Sequence, residues 1–138
     1  MNSGYLYNGR NFIKAAAVAV KHIEAVTNHD YETARNVLAD DVHFILVNAI
    51  PGFASPFEGN SIEEFMTAIS SDNSLIPGSL KVLQSIGDDR QALIVVTVRA
   101  TSPSCGESTL LAARHYIINN SEKITNEQVI LSLYDGAV

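Results

Sequence analysis

The stretch KHIEAVTNHDYETARNVLADDVHFILVN, residues 21–48, decides how this chain is read. Leading into it and within it, Phe12, Ala16, Ala19, Val20, Ile23 and Val26 recur at spacings of three and four. That spacing gives a helix one apolar stripe and carries it to about Thr27. Asn28-His29-Asp30 interrupts the periodicity. Asp30 is placed to cap a second, short helix that has Glu32 in its first turn, turns Tyr31, Ala34, Val37 and Leu38 inward, and ends near Ala39. Beyond Asp40-Asp41, residues 42–48 are mostly β-branched or large and apolar, so the chain passes from helix almost directly into a strand.

Downstream, Pro51, Gly52 and Pro56 impose a loop, and Asn60-Ser61 followed by Glu63-Glu64 supplies a cap and an acidic first turn for a third helix reaching Ile69. Residues 70–79, with Pro77-Gly78, form another loop. Four β-prone runs follow at 80–86, 92–101, 109–119 and 123–134. Their connections are short, which favours antiparallel hairpins. Helices first and a meander of strands afterwards is an α+β order and not a βαβ series. Residues 1–11 show no periodicity and read as a flexible N-terminal arm, with 12–138 as a single domain.

A chain of 138 residues is long enough to bury a core without disulfides or metals. Its nine basic residues against fifteen acidic ones, net charge −6, include no Lys/Arg cluster, which argues against nucleic acid and anionic membranes as partners. The single cysteine, Cys105, has no basic neighbour in sequence to activate it, and the four histidines show no metal-ligand spacing; no metal or cofactor is expected. The apolar run at 12–20 contains Lys14 and is too short to span a bilayer, so a soluble, cytoplasmic protein is expected.

The run 92–101 carries a further message. One of its faces presents Ala92, Ile94, Val96, Val98 and Ala100, and the other presents Leu93, Val95, Thr97, Arg99 and Thr101. Both are largely apolar, as in a strand covered on both sides. Three helices can cover one face of a sheet. A second copy of the chain is the simplest cover for the other, and a long loop or the N-terminal arm is the alternative.

The helix pair, the Ala39-Asp40-Asp41-Val42 start of the strand, the Phe57-Glu58-Gly59-Asn60 turn, the Ile62-Glu63-Glu64-Phe65 helix start and the meander ending in Lys123-Ile124-Thr125 together resemble the SnoaL-like group. That group belongs to the nuclear transport factor two-like superfamily, with ketosteroid isomerases, limonene epoxide hydrolases and scytalone dehydratases. The resemblance covers about residues 12–134. It implies a cone: three N-terminal helices packed on a strongly curved, mainly antiparallel sheet enclosing a pocket for a small organic molecule, and a homodimer through the outer sheet face. The chemistry transfers less well. Counting without gaps from Asp40-Asp41 puts Leu46 where the isomerases carry their base, His22 where they carry a helix tyrosine, and Arg114 at or near their acidic oxyanion partner. Against the epoxide hydrolases, Arg99 matches an arginine, while Thr101 and Val129 stand near the expected aspartates and Phe44 and Leu46 replace a tyrosine and an asparagine. Asn48 restores an amide if the strand is shifted.

These positions define the candidate site. His22 is either an acid/base with an ordinary pKa of about 6.5 or a partly exposed helix histidine. Tyr116 is either a hydrogen-bond donor to an oxyanion or a lining aromatic. Phe44, Leu46, Asn48, Arg99 and Arg114 are the candidate ligand-binding residues. The two arginines are expected to share the interior face, free to bind an anion or paired with Asp41, Glu58 or Glu127. His43 and His115 fall on the outer parity. The resulting expectation is a pocket for an apolar or anionic molecule supporting cofactor-independent isomerase, dehydratase, cyclase or hydrolase chemistry, with a non-catalytic ligand-binding or dimeric interaction module as the alternative.

Overall fold

The computed structural model describes residues 14–47, 50, 56–71, 74–104 and 106–134. The arm at 1–11, Asn48 and Cys105 therefore lie outside the described residues. The elements are α1 (Lys14–Thr27), α2 (Tyr31–Asn36), β1 (Leu38–Leu46), β2 (Phe57–Gly59), α3 (Ile62–Ser70), β3 (Lys81–Gly87), β4 (Gln91–Ser102), β5 (Gly106–Ile118) and β6 (Ile124–Leu133). Caps foreseen in the sequence are in place. Asp30 Oδ1 accepts from the Thr33 amide at 3.3 Å, and Ser61 Oγ accepts from the Glu64 amide at 3.2 Å, while Glu64 Oε1 reaches back to the Asn60 amide at 2.7 Å.

The second helix stops earlier than its sequence suggests, and the strand begins earlier. The Ile124 amide donates to Val37 O at 2.7 Å and Leu38 pairs with Ile124, so the pull of β6 extends the backbone before Asp40. A register shift between Leu38 and His43 then absorbs the Asp40-Asp41 pair. Phe57-Glu58-Gly59, read in the sequence as a turn, instead pairs antiparallel with the end of β1.

The six strands form one sheet in the order β2-β1-β6-β5-β4-β3, with β1 and β6 parallel and the other neighbours antiparallel. The helices cover the concave side. Ala15, Ala19 and Ile23 of α1 and Phe65 of α3 meet Val42, Phe44, Ile94, Val96, Ala112 and Val129 in a single core. This is the α+β cone that the sequence implied. No helix among the described residues is long and apolar enough to cross a membrane.

One close approach locks the β1–β2 corner. A Cβ on Gly59 would sit 2.3 Å from Cζ of Phe44, whose ring is itself boxed in by Phe65 and Phe57 at centroid distances of 4.8 and 5.5 Å. Gly59→Ala should therefore destabilise the protein by about 1–3 kcal/mol, the usual cost of overpacking a rigid core. A urea midpoint unchanged from the parent protein would show that the corner is looser than described.

Candidate functional site

Strand register decides which side chains reach the concave face. Two antiparallel rungs cross the sheet, Ile94 opposite Arg114 opposite Val129, and Ala92 opposite Tyr116 opposite Glu127. Directly opposed residues share a face, and Ala92 and Ile94 are buried under the helices, so Arg114, Tyr116 and Glu127 all point inward. His22 joins them from the buried side of α1, its ring 5.4 Å from Phe65 and 6.2 Å from Tyr116 between centroids.

Glu127 is the hub of this cluster. The Tyr116 hydroxyl donates to its Oε2, Arg114 Nη1 donates to the same oxygen at 3.2 Å, and Nη1 also donates to the Tyr116 oxygen at 3.2 Å. His22 Nε2 lies 3.9 Å from Oε2. Both donors fall on Oε2, and no donor among the described residues reaches Oε1. His22 Nδ1 lies 3.2 Å from Ala34 O, and because a carbonyl can only accept, the ring hydrogen sits on Nδ1.

Electrostatics follow from burial. Desolvation pushes the His22 imidazole below its ordinary value, with the Glu127 charge acting in opposition and Arg114 in support. The ring is thus neutral near pH 7 and Nε2 carries a lone pair. Burial first and the Glu127 charge second push the Tyr116 phenol well above the usual tyrosine value, so it remains a donor. Burial works against the Arg114 charge, but Tyr116 and Glu127 outweigh it and leave Arg114 raised. One cation and one anion leave the cluster with no net charge.

Beside it opens a cavity of about 390 Å³, large enough for a small organic molecule. Its polar groups include His22, Arg114 and Glu127, and its apolar walls include Phe44, Leu46, Val98, Leu110, Val129 and Leu131, with Phe57, Phe65 and Ile69. Among the described residues no three His, Cys, Asp or Glu side chains gather as a metal site.

The sequence-based candidates divide clearly. His22, Phe44, Leu46 and Arg114 line the cavity. His22 is completely enclosed, contrary to the reading of a partly exposed helix histidine. Tyr116 is buried behind the cavity wall, with its hydroxyl on Glu127. Arg99 does not share the face of Arg114. It stands opposite Thr109 on the outer side of the sheet, where its Nε donates to Glu107 and its Nη1 donates to Thr109 Oγ1 at 2.9 Å. The reason is parity: Arg99 is an odd number of residues from Ile94 along β4, and Ile94 is the partner of Arg114. His43 and His115 do lie away from the cavity, bonded to Glu58 at 2.6 Å and Gln91 at 2.9 Å.

Glu127 is the residue the sequence reading undervalued, as it entered only as a possible arginine partner. Its signal was present. Glu127, Val129 and Leu131 alternate on one face of β6, so a carboxylate occupies a core-facing phase.

Comparison with solved structures matches this architecture. A provisionally assigned SnoaL-like polyketide cyclase from Shewanella putrefaciens superposes with a TM-score of 0.70 at 12% identity, covering 85% of this chain and 88% of that one. The chain has the nuclear transport factor two-like fold. An LEH-like epoxide hydrolase from Mycobacterium tuberculosis is similar to it with a TM-score of 0.66 at 14% identity, over 88% of this chain and 84% of that one. So is a second M. tuberculosis protein, in complex with estradiol-17beta-hemisuccinate, with a TM-score of 0.66 at 15% identity over 84% and 92% of the two chains. No protein-family model and no curated protein matches the sequence.

The neutral His22 has a measurable consequence. Below about pH 6.5 the unfolded chain takes up a proton that the folded ring resists, so this contribution to stability is complete above 6.5 and is lost as pH falls through the lowered folded value. Its slope is at most about 1.4 kcal/mol per pH unit. Urea unfolding at pH 7.5 and 5.5 should show a shallower acid loss in His22→Gln than in the parent protein. Equal losses would mean that His22 is not held neutral.

Proposed function

We propose that the cavity binds one small, neutral, largely apolar organic molecule and that Glu127 is its acid/base group, giving a cofactor-independent isomerase, dehydratase, cyclase or hydrolase. The observation that carries this reading is the buried Glu127, held on one oxygen by Tyr116 and Arg114 at the edge of an apolar cavity. A carboxylate with one oxygen fixed and the other accepting from no described residue can exchange a proton without turning away from its supports. Tyr116 then acts as a positioning residue, through Glu127. The reading favours a neutral ligand over an anion because the charge of Arg114 is already balanced by Glu127. A small organic molecule as ligand, whatever its charge, is in keeping with the steroid half-ester held by one of the similar structures and the trimethylamine complex of another, a protein with a ketosteroid isomerase-like fold from Catenulispora acidiphila.

The neutral fluorescent probe N-phenyl-1-naphthylamine should bind once per chain, and Ala68→Trp, which grows a side chain into the cavity, should abolish binding while the protein stays folded. Catalysis is read separately, as deuterium exchange next to the carbonyl of saturating 2-decalone in D2O. Glu127→Gln should slow it by about 100-fold or more. Probe binding without enzyme-dependent exchange would favour the alternative, a ligand-binding protein that does no chemistry. Failure of the probe to bind would remove both.

We also propose a homodimer through the outer sheet face. Ile86, Leu93 and Ile130 are each more than half exposed there, and Val95, Leu111 and Ala113 form an uncharged strip across the face between His115 and Lys81, an apolar surface for a second copy to cover. Light scattering should give twice the chain mass of 14.9 kDa, and Leu93→Glu should give the monomer. A monomeric parent protein would end the proposal.

A further inference from the structure

Among the described residues, two buried polar atoms of cavity-lining side chains have no hydrogen-bond partner, His22 Nε2 and Arg114 Nε. They are of opposite kind. Nε2 is an acceptor, because the ring hydrogen is on Nδ1 and committed to Ala34 O. Nε of a guanidinium can only donate. Both residues line the cavity together with Glu127, whose Oε1 accepts from no described residue. An unmet buried donor and an unmet buried acceptor each cost free energy, and both costs are relieved by a ligand group that donates and accepts at once.

From this pattern we infer that the ligand's polar end is a neutral hydroxyl, donating to His22 Nε2 and accepting from Arg114 Nε. The inference rests on the ligand-binding reading of the cavity and names the chemical class it takes. Other end groups fit worse. A ketone or ether accepts from Arg114 and leaves His22 unmet. A carboxylate sets a second anion against Glu127 and a lone pair against a lone pair at His22. An ammonium group donates to both acceptors, yet places a second cation beside Arg114 in a cluster that is already neutral. A hydroxyl alone among these meets both needs without adding charge. Phe44, Phe65 and Leu131 leave the rest of such a ligand in apolar surroundings.

The test is calorimetric titration of the parent protein with decahydro-2-naphthol, its methyl ether and 2-decalone, which share one carbon skeleton. The alcohol should bind at least about tenfold more tightly than either, the discrimination seen when a buried polar pair is left unmet. The ketone is no bulkier than the alcohol, so poor fit cannot imitate this result. In His22→Phe, which keeps an aromatic ring against Phe65 and removes the acceptor, the preference should fall to within about twofold while ketone affinity is kept. Binding of all three within twofold of one another in the parent protein would overturn the hydroxyl and leave the cavity's ligand-binding role standing, as would a tenfold preference retained in folded His22→Phe. Binding of none of the three would overturn both.

Discussion

A guanidinium on the core face of a sheet is the constraint from which the interior of this protein follows. Arg114 is opposed by Ile94 on one side and Val129 on the other, where an unpaired charge would cost several kcal/mol. Glu127 answers it from the neighbouring strand, and Tyr116 completes a three-way contact that leaves every charge with a counterpart. Burial of Tyr116 and His22 around this pair keeps one protonated and the other neutral. Four residues from three elements are thereby tuned by one another. Removing any one alters the charge balance felt by the rest.

This interior departs from the chemistry that the SnoaL-like resemblance implies while keeping its architecture. Leu46 lines the cavity where a base is expected and offers no proton acceptor, and the carboxylate comes instead from β6, two residues before the Val129 position. Moving the acidic group by two residues preserves the face, because side chains on a strand repeat every second residue. A carboxylate two residues along β6 from Val129 therefore still faces the cavity. The fold sets where a reactive group can stand, and the side chains decide whether one does.

The two faces of the sheet solve opposite problems. Inside, charge is present and is fully paired. Outside, Val95, Leu111 and Ala113 carry an uncharged strip across the sheet, while Arg99 and Glu107 mark its margin with a pair that is about half exposed and so contributes little to stability. The exposure of Leu93 beside the burial of Ile94 is the ordinary alternation of a strand, but with an apolar residue on each side of it.

The sequence by itself determined the order of elements, the caps at Asp30 and Ser61, the antiparallel meander and the two-sided character of β4, because each is written in local periodicity and turn chemistry. The family resemblance singled out His22, Phe44, Leu46 and Arg114, and these residues line the cavity. The end of α2 escaped the sequence, since the bond from Ile124 to Val37 spans most of the chain. So did the outward placement of Arg99, the retreat of Tyr116 behind the wall and the central role of Glu127. Those depend on strand register, where a slip of one residue exchanges inside for outside, and register is settled only when β4, β5 and β6 pair.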